Sequence, residues 1–265
     1  EANPLTKFIM LSLNKLIKLV PKNLIEKVAL LPEEEFDFNL KDYCFLIREG
    51  EILSYAKNKF TQLLKKNDPV GLAEAILGKK NELSYRRVGA VKLYKIDSKA
   101  IRTEINGSGP LVKSIIKYSL KRIFFSQNET IKTPLMFEEG FLYPNEKDLR
   151  VRKFEEGTWI FRSGFSNNRM YFLEKGKVQL LTKNNRELAL LTMGACFGES
   201  TLIRGKKHNN SALAIENCVI RIIDDYIIEK EIEKESYLVQ LVLFLVLRRL
   251  EFMNSLRMTD NFSRD

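Results

Sequence analysis

The feature that most constrains this chain is a repeat. Gly71 and Gly198 stand 127 residues apart (198 − 71), and Asp97 and Asp224 keep the same interval (224 − 97). At that shift Ile76-Leu77-Gly78-Lys79-Lys80 falls on Ile203-Arg204-Gly205-Lys206-Lys207, Ser84 on Ser211 and Ile96 on Ile223, with no gap. Matching residue types at one fixed shift indicate a tandem duplication. A chain of 265 residues with 45% hydrophobic content can build two ordinary cores. Two homologous domains are therefore expected.

Local patterning divides the chain into an N-terminal helical segment (1–35), a first domain (36–126), a linker (127–149) and a second domain with C-terminal helices (150–265). Apolar residues from Phe8 to Val20 recur at helical spacing, with Thr6 as N-cap, and Pro21 and Pro32 bracket a predicted short helix over Asn23–Leu31. Tyr43–Ile47 and Ile52–Tyr55 read as strands joined by a tight turn at Gly50, and Val88–Ile96 reads as another strand. Lys99–Glu104 and Leu111–Phe125 read as helices, separated by Asn106-Gly107-Ser108-Gly109-Pro110. Beyond the linker, short strands alternate with glycine turns at Gly157, Gly164 and Gly176, the pattern of a compact antiparallel barrel or jelly roll. After Asp224 the pattern turns helical, over Tyr226–Ile232 and from Ser236 to about Met258. The fold class is mainly β with flanking helices (α+β): two jelly-roll barrels in tandem, each followed by helices.

Composition excludes several functions. The balance of 44 basic against 34 acidic residues, net +10, favours anionic partners without choosing among nucleotides, nucleic acid and headgroups. Cys44, Cys196 and Cys218 have neither disulfide nor zinc spacing, and a single histidine cannot supply the metal ligands of a cupin-type barrel. A reducing cytoplasm is expected. No signal peptide or membrane span is read, since the apolar run Leu241–Leu247 is about half the length needed to cross a bilayer. No nucleophile, base and orienting group fall together, so no enzyme is expected. The 41 residues after Asp224 (265 − 224) are used by two helices, leaving no room for a helix-turn-helix.

The second half resembles the cyclic nucleotide-binding domain family, found in catabolite activator proteins, regulatory subunits of cAMP-dependent protein kinase and nucleotide-gated channels. The carriers are Phe154-x-x-Gly157-x-x-Ile160-Phe161-x-x-Gly164, Met170-Tyr171-Phe172-Leu173-x-x-Gly176-x-Val178, Phe197-Gly198-Glu199 and the closing Ile223-Asp224. The resemblance implies that the turn at Gly198 opens a one-turn helix whose N–H groups face a cyclic phosphate, and that Glu199 accepts a ribose 2′-hydroxyl. The family's phosphate-binding arginine, nine residues after the glutamate, is His208 here. Imidazole offers one donor and a charge that depends on pH, in place of a permanent bidentate fork, a loss of about 1.5–3 kcal/mol. Arg204 and Lys207, with Lys206, either supply the missing charge or are solvated loop residues. Ser200, Asn209 and Ser211 complete the candidate ligand set, and Ser211 could equally bond its own backbone. In the first copy Leu72 takes the glutamate position and Asn81 the arginine position, which makes it a pseudo-domain.

Two functions are expected from this reading. The first is a regulatory protein that binds cAMP or another cyclic nucleotide in its second domain, needs no further cofactor, and re-packs its C-terminal helices on binding. The alternative is a ligand-free module whose helix 236–258, apolar around nearly its whole girth, binds a protein partner or a second copy of the chain.

Overall fold

The computed structural model describes residues 10–56, 59–78, 83–124, 137–203 and 207–258. The chain forms two compact units. The first comprises Asn14–Ser108 and Ser236–Leu245, and the second comprises Glu1–Leu13, Gly109–Glu235 and Val246–Asp265.

The first unit is built on one long antiparallel pair, β2 (Tyr43–Ala56) and β5 (Leu83–Asp97). Their register runs from Tyr43↔Asp97 to Ala56↔Leu83. The expected turn at Gly50 is instead part of a β-bulge, because the register shifts between Ile47 and Glu49 and again between Glu49 and Glu51 while the strand continues. On the other side of β5 lies β1 (Ile25–Leu30), and β3 (Lys59–Leu64) and β4 (Pro69–Val70) pair with β2. The segment predicted as a helix over Asn23–Leu31 is therefore a strand. Its short length gives a free helix little support, whereas pairing sets Val28 opposite Leu93 and Glu26 opposite Lys95, with the charges 3.3 Å apart. The core joins Phe38, Phe45, Ile47 and Ile52 to Val91 and Leu93.

Helix α1 is Leu13–Leu19, and the N-cap proposed at Thr6 lies outside the described residues. The short helix α2 (Leu72–Leu77) is entered through Gly71 at φ 75°. Helix α3 (Ser98–Gly107) is N-capped by Asp97, whose carboxylate accepts the Ala100 N–H at 2.6 Å. All described strands of this unit belong to one five-stranded sheet.

The second unit does contain two facing layers. Helix α4 (Pro110–Phe124) precedes β6 (Arg150–Phe154), β7 (Trp159–Phe161), β8 (Met170–Lys175), β9 (Lys177–Leu181), β10 (Glu187–Thr192), β11 (Cys196–Phe197), β12 (Ser211–Ala214) and β13 (Cys218–Ile223). They form two four-stranded antiparallel sheets, ordered β10-β9-β12-β7 and β11-β8-β13-β6, around a common core that includes Phe161, Tyr171, Leu173, Phe197 and Ile220. Helix α5 (Asp225–Glu233) follows directly.

The unit boundary falls at Ser108–Gly109, so α4 groups with the second unit and not with a first domain ending at 126. Much of the predicted linker is structural. Glu138–Leu142 forms a helical turn, and Phe137, Phe141, Leu142 and Leu149 are buried.

Helix α6 (Tyr237–Met258) begins in the first unit and ends in the second. Leu238, Leu241 and Leu245 are 1%, 0% and 1% exposed. The apolar girth that suggested a docking face is thus covered within the chain along Leu238–Leu247. No helix among the described residues is long and apolar enough to cross a membrane.

The turn between β8 and β9 gives a direct test of this packing. Gly176 has φ 92°, and a Cβ there would meet the Asn217 carbonyl oxygen at 2.6 Å and Cys218 Sγ at 2.8 Å. Replacement by alanine adds both a left-handed backbone and a clash. Gly176→Ala is expected to lower unfolding free energy by about 1–3 kcal/mol in urea titration.

Candidate functional site

Gly198 ends β11 in the left-handed region at φ 91° and leads into the one-turn helix Glu199–Leu202. A side chain at 198 would press on the Arg169 carbonyl at 2.6 Å and on the Tyr171 ring at 2.9 Å, so both conformation and space demand glycine. Thr201 steadies the turn by donating its hydroxyl to the Gly198 carbonyl at 3.0 Å. Ser200 lies within the same turn.

Glu199 is 3% exposed, and its Oε1 is bonded to the guanidinium of Arg122 on α4, itself 8% exposed. Burial is the largest single influence and works against the Arg122 charge, but the neighbouring groups together, the Glu199 carboxylate foremost, hold the guanidinium pKa above its ordinary value. The carboxylate expected to face a sugar is therefore held by an internal cation. The sequence carried a signal for this partner. Ser114, Tyr118 and Arg122 recur every fourth residue and so lie on one face of α4. All three are buried.

His208 occupies a different environment, against β7. Its ring stacks on Phe161 with centroids 3.7 Å apart and planes at 14°. Next to it Tyr171 stacks on Phe197 at 5.2 Å. Backbone bonds clamp the residue, since the His208 N–H donates to the Phe165 carbonyl at 3.0 Å and its own carbonyl accepts from Gly164 N–H at 2.8 Å. Nε2 lies 2.7 Å from Asn167 Oδ1, while the Asn167 amide donates to the Tyr171 hydroxyl at 2.9 Å. With a carbonyl oxygen as its partner, Nε2 must carry the proton. Nδ1 is buried without an acceptor, so a second proton has nothing to bond. Burial accordingly lowers the His208 pKa from 6.5 to about 4. The imidazole is neutral at pH 7, which corrects the expectation of a charge titrating near neutrality.

The remaining predicted residues are distributed as follows. Ser211 Oγ accepts the Ser163 N–H at 2.9 Å, so it serves the backbone. Asn209 donates its amide to Glu251 of α6 at 3.0 Å. Lys207 is exposed, and Arg204, with Lys206, lies outside the described residues. Asp224, the end of the cassette, receives Arg150 Nε at 2.8 Å and Arg169 Nε at 2.8 Å on its two oxygens. His208, Asn209 and Ser211 thus gather around Ser163 and Phe161, whereas Glu199 is engaged with α4. No group of metal-ligating side chains occurs among the described residues.

The His208 environment predicts a pH dependence. With a folded pKa near 4 and an unfolded value near 6.5, the unfolded chain binds more protons between those limits. This contribution is fully present above about pH 6.5 and is lost as pH falls towards 4, by roughly 3 kcal/mol at most. Urea titrations from pH 7.5 to 4 are expected to show this loss in the wild type and to show it absent from His208→Phe, relative to the acid sensitivity both share.

Residues 151–235 match the family described as cyclic nucleotide-binding domain. A stretch of 124 residues is 30% identical to the potassium/sodium hyperpolarization-activated cyclic nucleotide-gated channel 2 of Mus musculus, covering 46% of this chain and 13% of the channel. Among solved structures, the regulatory domain of Toxoplasma gondii protein kinase A with cAMP is 15% identical, with a TM-score of 0.33, covering 86% of this chain and 85% of that one. The regulatory subunit of a cAMP-independent protein kinase A from Trypanosoma cruzi, bound to guanosine, is 13% identical, with a TM-score of 0.36, covering 79% and 75%. Both scores lie below 0.5, so the assignment rests on the sequence matches. The stretch 151–235, which holds the glycine-opened turn at Gly198, matches the cyclic nucleotide-binding domain family.

Proposed function

We propose that this chain is a regulatory protein of the cyclic nucleotide-binding type, with its nucleotide site in residues 198–211 and its C-terminal helices re-packing when the site fills. The observation that carries this reading is the left-handed Gly198 opening a one-turn helix at Glu199 within the matched domain. Asn209 supports the coupling, because it joins the cassette directly to Glu251 of α6. A ligand that altered this loop would alter a contact to the terminal helix. Such a shift needs a ligand that binds one arrangement better than the other.

The first unit reads as a divergent tandem copy without a site. Gly71 enters α2 at φ 75° as Gly198 enters its turn at φ 91°, and Asp97 and Asp224 each stand at the N-cap of the helix after the last strand. At the glutamate position the copy buries Leu72, which cannot accept a hydroxyl.

A second reading, a ligand-free module, draws on the Glu199–Arg122 pair and the neutral, stacked His208, since both groups already have partners within the protein. Isothermal titration of the full chain with cAMP and cGMP separates the two. Glu199→Gln is preferable to alanine as a probe, because its amide oxygen can still accept from the buried Arg122 guanidinium, whereas alanine removes the acceptor along with the charge. Under the nucleotide reading the wild type binds weakly, Glu199→Gln binds more weakly, and His208→Arg gains roughly ten- to a hundredfold. Absence of heat and of any thermal shift in all three proteins, up to millimolar nucleotide, would leave the ligand-free module as the function.

A further inference from the structure

Between α4 and the cassette turn lies a small cavity of about 10 Å³, lined by Ser114, Tyr118, Ser119 and Glu199 and walled elsewhere by the apolar Ile115, Phe137 and Met170 with Cys196. Four side-chain oxygens around it are short of hydrogen-bond partners: Ser114 Oγ, Ser119 Oγ and Glu199 Oε2 have none within the protein, and Tyr118 OH has at most the Cys196 backbone, which leaves its own proton without an acceptor. Their residues are 2%, 3%, 0% and 3% exposed. Buried polar atoms are nearly always paired. Four such oxygens on residues that line one otherwise apolar space mark its polar side.

The size and chemistry of the space select its occupant. About 10 Å³ is close to the least that admits one water, and far too little for a sugar or a base. The occupant must donate to a carboxylate oxygen and also exchange hydrogen bonds with neutral hydroxyls. Water does both and commonly makes about three bonds in buried sites. A small anion is opposed by the Glu199 charge, and a metal cation would face a carboxylate that Arg122 already neutralises.

We propose that this cavity binds a single water, which donates to Glu199 Oε2 and is shared with Tyr118 and the serine hydroxyls. With Arg122 on Oε1, the cassette carboxylate is then held by α4 on both of its oxygens. The water site stands on the cavity alone. Its consequence, that a ribose hydroxyl must compete with α4 for Glu199, rests on the nucleotide reading above.

A crystal structure of the full chain at about 1.5 Å resolution, with ¹⁷O relaxation dispersion in solution, tests the site. The expected result is one solvent peak within about 2.6–3.2 Å of Glu199 Oε2 and of at least two of the three hydroxyls. Ser119→Val, whose added methyl groups fill the space, should lose one long-lived water relative to wild type. If that variant does not fold, Tyr118→Phe removes a single oxygen and should shorten the residence time of the same water. A dry cavity, with the serine hydroxyls turned to carbonyls of their own helix, would overturn the proposal, as would an unchanged water count and residence time in the variants. Failure of nucleotide titration alone bears only on the nucleotide reading, because the water is read out without ligand.

Discussion

The ion pair between Arg122 and Glu199 governs the chemistry of the second unit. Two charges at 8% and 3% exposure are tolerable only together, since either alone would be a buried, uncompensated ion. The pair therefore fixes α4 against the cassette turn as well as fixing the direction of the carboxylate. A helix that the sequence assigns to the first domain is thereby part of the second unit. The cassette glutamate is at once a structural partner and the candidate sugar acceptor, and its energetics as a binding residue include the cost of sharing it with Arg122.

The other end of the cassette follows different physics. His208 lies in an aromatic layer with Phe161, Tyr171 and Phe197, and its ring nitrogen Nε2 is bonded to Asn167. In such surroundings the neutral ring is favoured over the charged one. The side chain at 208 is thus part of the apolar core, while the backbone on either side stays in the barrel's hydrogen-bond pattern through Phe165 and Gly164.

The two units differ in sheet organisation. In the second unit, short strands and glycine turns divide the chain into two four-stranded layers. In the first, β2 and β5 run 14 and 15 residues and absorb their irregularities as bulges, so one sheet suffices. The glycine-entered short helix and the aspartate at the helix N-cap are retained in both, because they depend on local backbone conformation rather than on the layer they join.

The sequence by itself determined what is local. The strand-and-glycine pattern from Phe154 to Val178, the turn at Phe197-Gly198-Glu199, and helices 98–107, 110–124 and 237–258 follow from periodicity, turn chemistry and the steric needs of glycine. Only tertiary structure decided the rest. Ile25–Leu30 is a strand because β5 supplies the hydrogen bonds and the Lys95 opposite Glu26 that the isolated segment lacks. Strand β2 carries on past Gly50 as a bulge, rather than turning there, because its partner strand continues too. Leu241 and Leu245 look like a docking face in sequence but are covered within the chain. Arg122 and Glu199 lie 77 residues apart and His208 and Asn167 41 apart, and no local rule pairs them. Burial removes the water that would otherwise satisfy these groups, so each takes the partner that packing brings within reach. The same glutamate and histidine that the sequence presents as free ligand groups are, in the fold, already bonded.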